Sequence, residues 1–160
     1  MQIIKPNTNK QVIESNTSIF LAGSIEMGSA ENWQGKIEDI LNNHIIGREI
    51  TILNPRRDDW DSSWKQEQTN VQFNNQVNWE MNMLNNSTII FMYLSPETKS
   101  PISLMELGLH AQSRKMIVCC PNGFWRKGNV DIICTRYNIP LFNDFSEAVG
   151  ALITKINLGS

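Results

Sequence analysis

The run "TIIFMYLSPETKSPISLMELGLHAQSRKMIVCC", Thr88 to Cys120, decides the fold. It opens on an apolar segment, Thr88–Leu94, dense in β-branched and aromatic side chains, which reads as a buried strand. Ser100-Pro101 then marks a helix start, with Ser100 suited to the N-cap and Pro101 to the first helical position. A second apolar run, "KMIVCC", follows at Lys115–Cys120. Strand, helix, strand in that order implies a right-handed crossover between parallel strands.

The same rhythm continues in both directions. Upstream, "SIFLAG" (Ser18–Gly23) and "EITILNP" (Glu49–Pro55) read as strands. Between them "ENWQGKIEDILNN" has Trp33, Ile37, Ile40 and Leu41 at helical spacing. "FNNQVNWEMNMLNNS" repeats that spacing through Phe73, Val77, Met81 and Leu84. Downstream, a mixed segment containing "WRKGNVDIICTRYN" precedes "IPLFND" and "FSEAVGALITKI", a last strand and helix. The expected fold is α/β: one doubly wound, flavodoxin-like domain over residues 1–160 with a five-stranded parallel sheet, residues 1–16 forming an N-terminal extension.

The 160 residues are 41% hydrophobic and 19% charged, as expected of an ordinary globular domain. A net charge of −2 gives no electrostatic basis for binding nucleic acid or a membrane surface. No stretch approaches the roughly 20 apolar residues of a membrane helix, and "MQIIKPNTNK" lacks a signal-peptide core. Cys119, Cys120 and Cys134 are an odd count without a C-x-x-C or a nearby histidine pair. They suit buried thiols in a reducing cytoplasm rather than disulfides or a zinc site, and no metal is expected.

In doubly wound sheets ligands sit beyond the carboxyl ends of the strands. That rule selects the loops after Gly23, Pro55 and Leu94. In the first, "AGSIEMGSAENW", Gly23 and Gly28 allow close backbone approach to a ligand, with Ser24 and Ile25 between them. A tight strand-to-helix turn accounts for the glycines equally, and no dinucleotide or Walker fingerprint is present. In the second, "NPRRDDWDSSW", Arg56, Arg57, Asp58, Asp59, Trp60 and Asp61 crowd together. Rings, acids and guanidinium groups suit a flat hydrogen-bonding ligand such as a nucleobase, with a carboxyl to protonate a ring nitrogen. The other reading is a surface loop whose charges pair among themselves.

In "QVNWEMNML", Gln76 and Glu80 lie one turn apart on one helix face, with Trp79 on the next. A lone helix glutamate is ordinarily solvated. On the helix after Leu94, Ser103, Glu106, His110 and Ser113 form a polar stripe on an otherwise apolar element. The stripe faces either water or the cleft. In the second case the positive end of the helix keeps Glu106 ionised and ready to attack. Pattern does not choose between the two.

"IFLAGSI", "NPRRDDW", "QVNWEMNML", "TIIFMYL" and "SPISLMELG", in that order, resemble the nucleoside 2-deoxyribosyltransferase-like family over about Ser18 to Phe142. The resemblance implies base exchange on 2′-deoxynucleosides by a retaining double displacement, with Glu106 as nucleophile and a covalent glycosyl ester. It implies a donor for the leaving base, for which Asp58 and Asp59 are candidates and Glu80 the alternative; Glu80 stands where the family places a second acid, usually Asp. Ser100 falls at the position that contacts the sugar 5′ end, where some transferases carry Asp. That departure raises a rival, a 2′-deoxynucleoside 5′-monophosphate N-glycosidase that transfers the sugar to water. Glu26 stands where phosphate-preferring relatives tend to carry Arg, which favours nucleosides. The expected substrate contacts are therefore Gly23, Ser24, Ile25, Arg57, Trp60, Gln76, Trp79 and Ser100. "KGNVD" is similar to a segment that completes a neighbouring subunit's pocket, which implies a homo-oligomer and a cross-subunit contact at Asn129. No cofactor is implied; the partners are 2′-deoxynucleosides and free nucleobases. A non-catalytic nucleotide-sensing module on the same fold is a third reading.

Overall fold

A computed structural model describes residues 1–25, 30–57, 59, 61 and 63–159. Asp58, Trp60, Glu26 and Gly28, singled out above, lie outside the described residues. The chain runs β1 (Gln2–Ile4), β2 (Thr17–Gly23), α1 (Trp33–His44), β3 (Ile50–Leu53), α2 (Val71–Asn86), β4 (Ile89–Tyr93), α3 (Pro101–His110), β5 (Met116–Cys119), α4 (Lys127–Arg136), β6 (Leu141–Phe142) and α5 (Phe145–Leu158).

All strands pair in parallel, in the order β1-β3-β2-β4-β5-β6. The sheet thus has six strands where five were expected. The sixth is β1, three residues that pair Gln2, Ile3 and Ile4 with Thr51, Ile52 and Leu53. An edge strand this short has one fully buried side chain, Ile4, and no alternation to betray it. The mixed segment after β5 folds as α4, burying Val130 and Cys134.

Alternation along the strands builds two cores. On one face Phe20, Ala22, Ile90, Met92, Met116 and Val118 pack with Leu84 of α2, Leu107 of α3 and Val130 of α4. On the other, Ile19, Leu21, Ile89, Phe91 and Ile117 pack with Trp33 and Ile37 of α1 and Leu152 and Ile156 of α5. β2 leads to α1 on one face, while its neighbour β4 leads to α3 on the opposite face. The switch point therefore lies at the carboxyl ends of β2 and β4. Among the described residues no helix is long and apolar enough to cross a membrane.

Candidate active site

The glycine that ends β2 answers to the sheet. Gly23 has φ +131°, and a Cβ there would stand 2.1 Å from the Tyr93 carbonyl oxygen. The close approach is between β2 and β4, and Ser24 N donates to Tyr93 O at 3.0 Å. Ser24 then turns its hydroxyl into a buried ring. Its Oγ lies 2.7 Å from both Thr98 Oγ1 and Ser100 Oγ, and those two lie 2.8 Å apart. Ser95 N donates to Ser24 Oγ at 2.9 Å, while Thr98 Oγ1 donates to Ser95 O at 2.9 Å. The two serine protons are left to serve three hydroxyl–hydroxyl contacts.

Ser100 therefore departs from the capping role expected of it. It holds the N-cap position of α3, but its side chain makes no capping bond. The backbone takes φ 44°, a left-handed conformation uncommon outside glycine, and this turns the hydroxyl toward Ser24. Thr98 was not anticipated; in "PETKS" a threonine reads only as a turn residue.

The polar stripe of α3 faces inward. Ser103 and Leu107 are buried, whereas Ile102, Met105 and Leu109 are 58%, 56% and 66% exposed. Glu106 is half-buried and makes no hydrogen bond to any described residue. Burial, and next the charge of Glu80, push its carboxyl up to about 8. The expectation that the helix end keeps it ionised is corrected. Glu106 is the sixth residue of α3, past the first turn where that field acts, and desolvation beside a second acid outweighs it.

Glu80 reaches the same region from α2. Burial raises it to about 6, partly offset by a hydrogen bond from Gln76. Gln76 is buried, and its Nε2 donates to Glu80 Oε1 at 2.7 Å and to Pro55 O at 3.2 Å, tying the acid to the end of β3. The charge of Glu80 acts on Glu106, so the two carboxyl groups hold one proton over a window of pH, and the two steps belong to the pair. One member can then attack as a carboxylate while the other donates a proton.

The second loop is held by its own charges. Arg57 donates to both oxygens of Asp59, Nε to Oδ1 at 2.9 Å and Nη2 to Oδ2 at 2.8 Å. Its guanidinium also lies 4.9 Å from the Trp64 ring centre, and Asn7 donates to Asp59 Oδ1 at 3.3 Å. These bonds, the one from Arg57 first, hold Asp59 below its ordinary carboxyl range. An exposed carboxylate so engaged is a poor proton donor at neutral pH.

Three other expected contacts are engaged elsewhere or stand apart. Trp79 packs against Phe20 with ring centres 6.2 Å apart, and its indole N–H donates to Gln11 Oε1 at 2.6 Å. Asn129 lines a surface groove of about 280 Å³ between α3 and α4, beside Leu104, Trp125 and Ile133. Ile25 is half-buried, and its carbonyl accepts from Ala30 N at 3.2 Å. Like Thr98, Gln34 of α1 escaped the sequence reading: it is fully buried, with neither amide atom bonded. Nothing in "ENWQG" distinguishes it from a solvated helix glutamine.

A half-buried carboxyl pair at the carboxyl end of a doubly wound sheet suits glycosyl transfer through a carboxylate. The family model described as nucleoside 2-deoxyribosyltransferase like matches residues 16–124, more than half of the chain, and the chain belongs to that family. A search of curated proteins finds no significant match.

Proposed function

We propose that the protein exchanges the base of 2′-deoxynucleosides by a double displacement at Glu106. The observation that carries this reading is the Glu80–Glu106 pair, in which α3 brings a carboxyl with no hydrogen bond to any described residue within the field of a second acid. In the one-proton form the proton rests on Glu106, the more strongly raised of the two. It passes to Glu80 as substrate binds, and the Glu106 carboxylate then attacks C1′ as the C1′–N bond breaks. The base leaves with that electron pair and takes a proton from Glu80. A second base then attacks C1′ from the vacated side and gives a proton to Glu80. The ester C–O bond breaks, Glu106 is again a carboxylate, and two inversions leave the configuration retained.

Glu80 is preferred over Asp59 as donor because its carboxyl is raised whereas Asp59 is held ionised by Arg57. Ser100, Ser24 and Gly23 frame the end of β2 where the sugar 5′ end would lie, with Ile25 beside them. Arg57, Trp79 and Asn129 contact substrate only after a change in their present engagements or through a neighbouring copy. The apolar residues Ile102, Met105 and Leu109, turned outward on the nucleophile's own helix, support a homo-oligomer with a shared site. Three buried free thiols support work in a reducing compartment, and base exchange on deoxynucleosides is a reaction of nucleoside salvage.

The test is incubation of 2′-deoxyadenosine with and without free cytosine, using wild type and Glu106→Ala. Exchange that needs the acceptor is expected, falling by at least roughly 10³-fold in folded Glu106→Ala. Base release without an acceptor, and faster from the 5′-monophosphate, would replace transfer with hydrolysis. Thermal stabilisation by ligand without turnover would leave a sensing module.

A further inference from the structure

Gln76 is buried with 4% of its surface exposed, yet its amide is only half used. The two Nε2 bonds fix which end of the amide is which, because the Pro55 carbonyl can only accept. With nitrogen facing Pro55 and Glu80, Oε1 points elsewhere and meets no donor. Buried side-chain oxygens are nearly always bonded, so an orphan beside a candidate catalytic acid marks a place for a partner from outside the chain, which reaches it as the side chains now covering it give way. Among the described residues only Gln34 shares this condition.

We propose that Gln76 reads the nucleobase, its Oε1 accepting from an exocyclic amino group while the neighbouring Glu80 hydroxyl donates to the adjacent ring nitrogen. This rests on the reading of the acid pair as a base-exchange site. Linked by the 2.7 Å bond, the two side chains present an acceptor beside a donor. Adenine offers the complement at N6–H₂ and N7, and cytosine offers it at N4–H₂ and N3. Hypoxanthine and guanine place O6 where the amino group should be, so two acceptors meet. Uracil and thymine present O4 together with an N3–H and mismatch at both positions. The selected class is therefore deoxynucleosides of amino-substituted bases, purine or pyrimidine. The same contact delivers the leaving-group proton: Glu80 gives it to N7 or N3, and the electron pair of the broken C1′–N bond is accommodated in the protonated ring.

Calorimetric titration of the wild-type protein with adenine, hypoxanthine, cytosine and uracil at about pH 5.5, below the value near 6 at which Glu80 loses its proton, tests the inference without turnover. Adenine should bind more tightly than hypoxanthine, and cytosine more tightly than uracil, each by roughly 10- to 100-fold. Equal or reversed affinities overturn it. In Gln76→Met, which keeps the length but has no amide, both ratios should fall to within about threefold. Equal weakening of all four bases with the ratios intact means that Gln76 only positions Glu80, and overturns base reading. If Gln76→Met does not fold, the wild-type ratios decide. Amino-base preference without exchange of any deoxynucleoside removes the transferase reading and leaves the base-reading site in place.

Discussion

Glu106 and Glu80 are costly residues for the protein to keep. Each carboxyl is raised by burial, to about 8 and about 6, so the folded state holds protons that the unfolded chain releases at its ordinary carboxyl range near 4.5. The folded state therefore binds more protons across that interval, and stability falls as pH rises from near 4.5 through about 8. Glu106→Gln removes that loss. Denaturant unfolding at pH 8.5, roughly half a unit above that value, should show the variant more stable than wild type by up to a few kcal/mol, and the gap should close near pH 4. A variant of equal stability at both pH values would mean that the carboxyl is not desolvated. Catalysis follows a different curve. The productive pair carries one proton, so kcat/KM should rise through about 6, where the first proton leaves, and fall through about 8, where the second does. A single-limbed profile would show that only one of the two acids takes part. Arg57 and Asp59 stand outside this titration, because a two-bond ion pair keeps that carboxylate ionised throughout the window.

The elements that place these acids depend on one crowded contact. β2 and β4 approach so closely that Gly23 admits no side chain, and φ +131° at the same residue disfavours any other amino acid. Gly23→Ala is expected to lose at least about 3 kcal/mol of stability in denaturant unfolding, or to yield no folded protein, since backbone rather than a flexible side chain blocks the methyl. A stable variant would show that the two strands can part. Beyond this contact the Ser24–Thr98–Ser100 hydroxyl ring fixes where α3 begins, and so which face Glu106 presents. The periodicity of α3 was legible in "SPISLMELG", whereas its orientation was not. Apolar residues lie on both sides of α3: Leu104, Leu107 and Ala111 pack inward, Ile102, Met105 and Leu109 turn out, and the polar stripe lies toward the inner side with Ser103 buried. Ser100 looked like a cap on local pattern. Besides nearby Thr98, its hydroxyl meets Ser24, 76 positions away, a contact that no window of sequence contains.

For the whole molecule, an outward apolar stripe on the helix that carries Glu106 makes association the expected state. Sedimentation equilibrium at micromolar concentration should give a multiple of the single-chain mass. A single-chain mass would remove the shared site and return Asn129 to the role of a solvated residue. The sequence by itself determined the alternation of strands and helices, the parallel sheet and the loops at its carboxyl end. These follow from hydrophobic periodicity and chain direction, which are local and repeat along the chain. It also singled out Glu106, through a motif carried by neighbouring residues. Only the tertiary structure decided that β1 joins the sheet, that Asp59 is occupied by Arg57, and that Glu80 and Glu106 share one desolvated environment. Those outcomes depend on which distant groups are brought together and on how much water is left between them, and neither quantity is encoded in the spacing of residues along the chain.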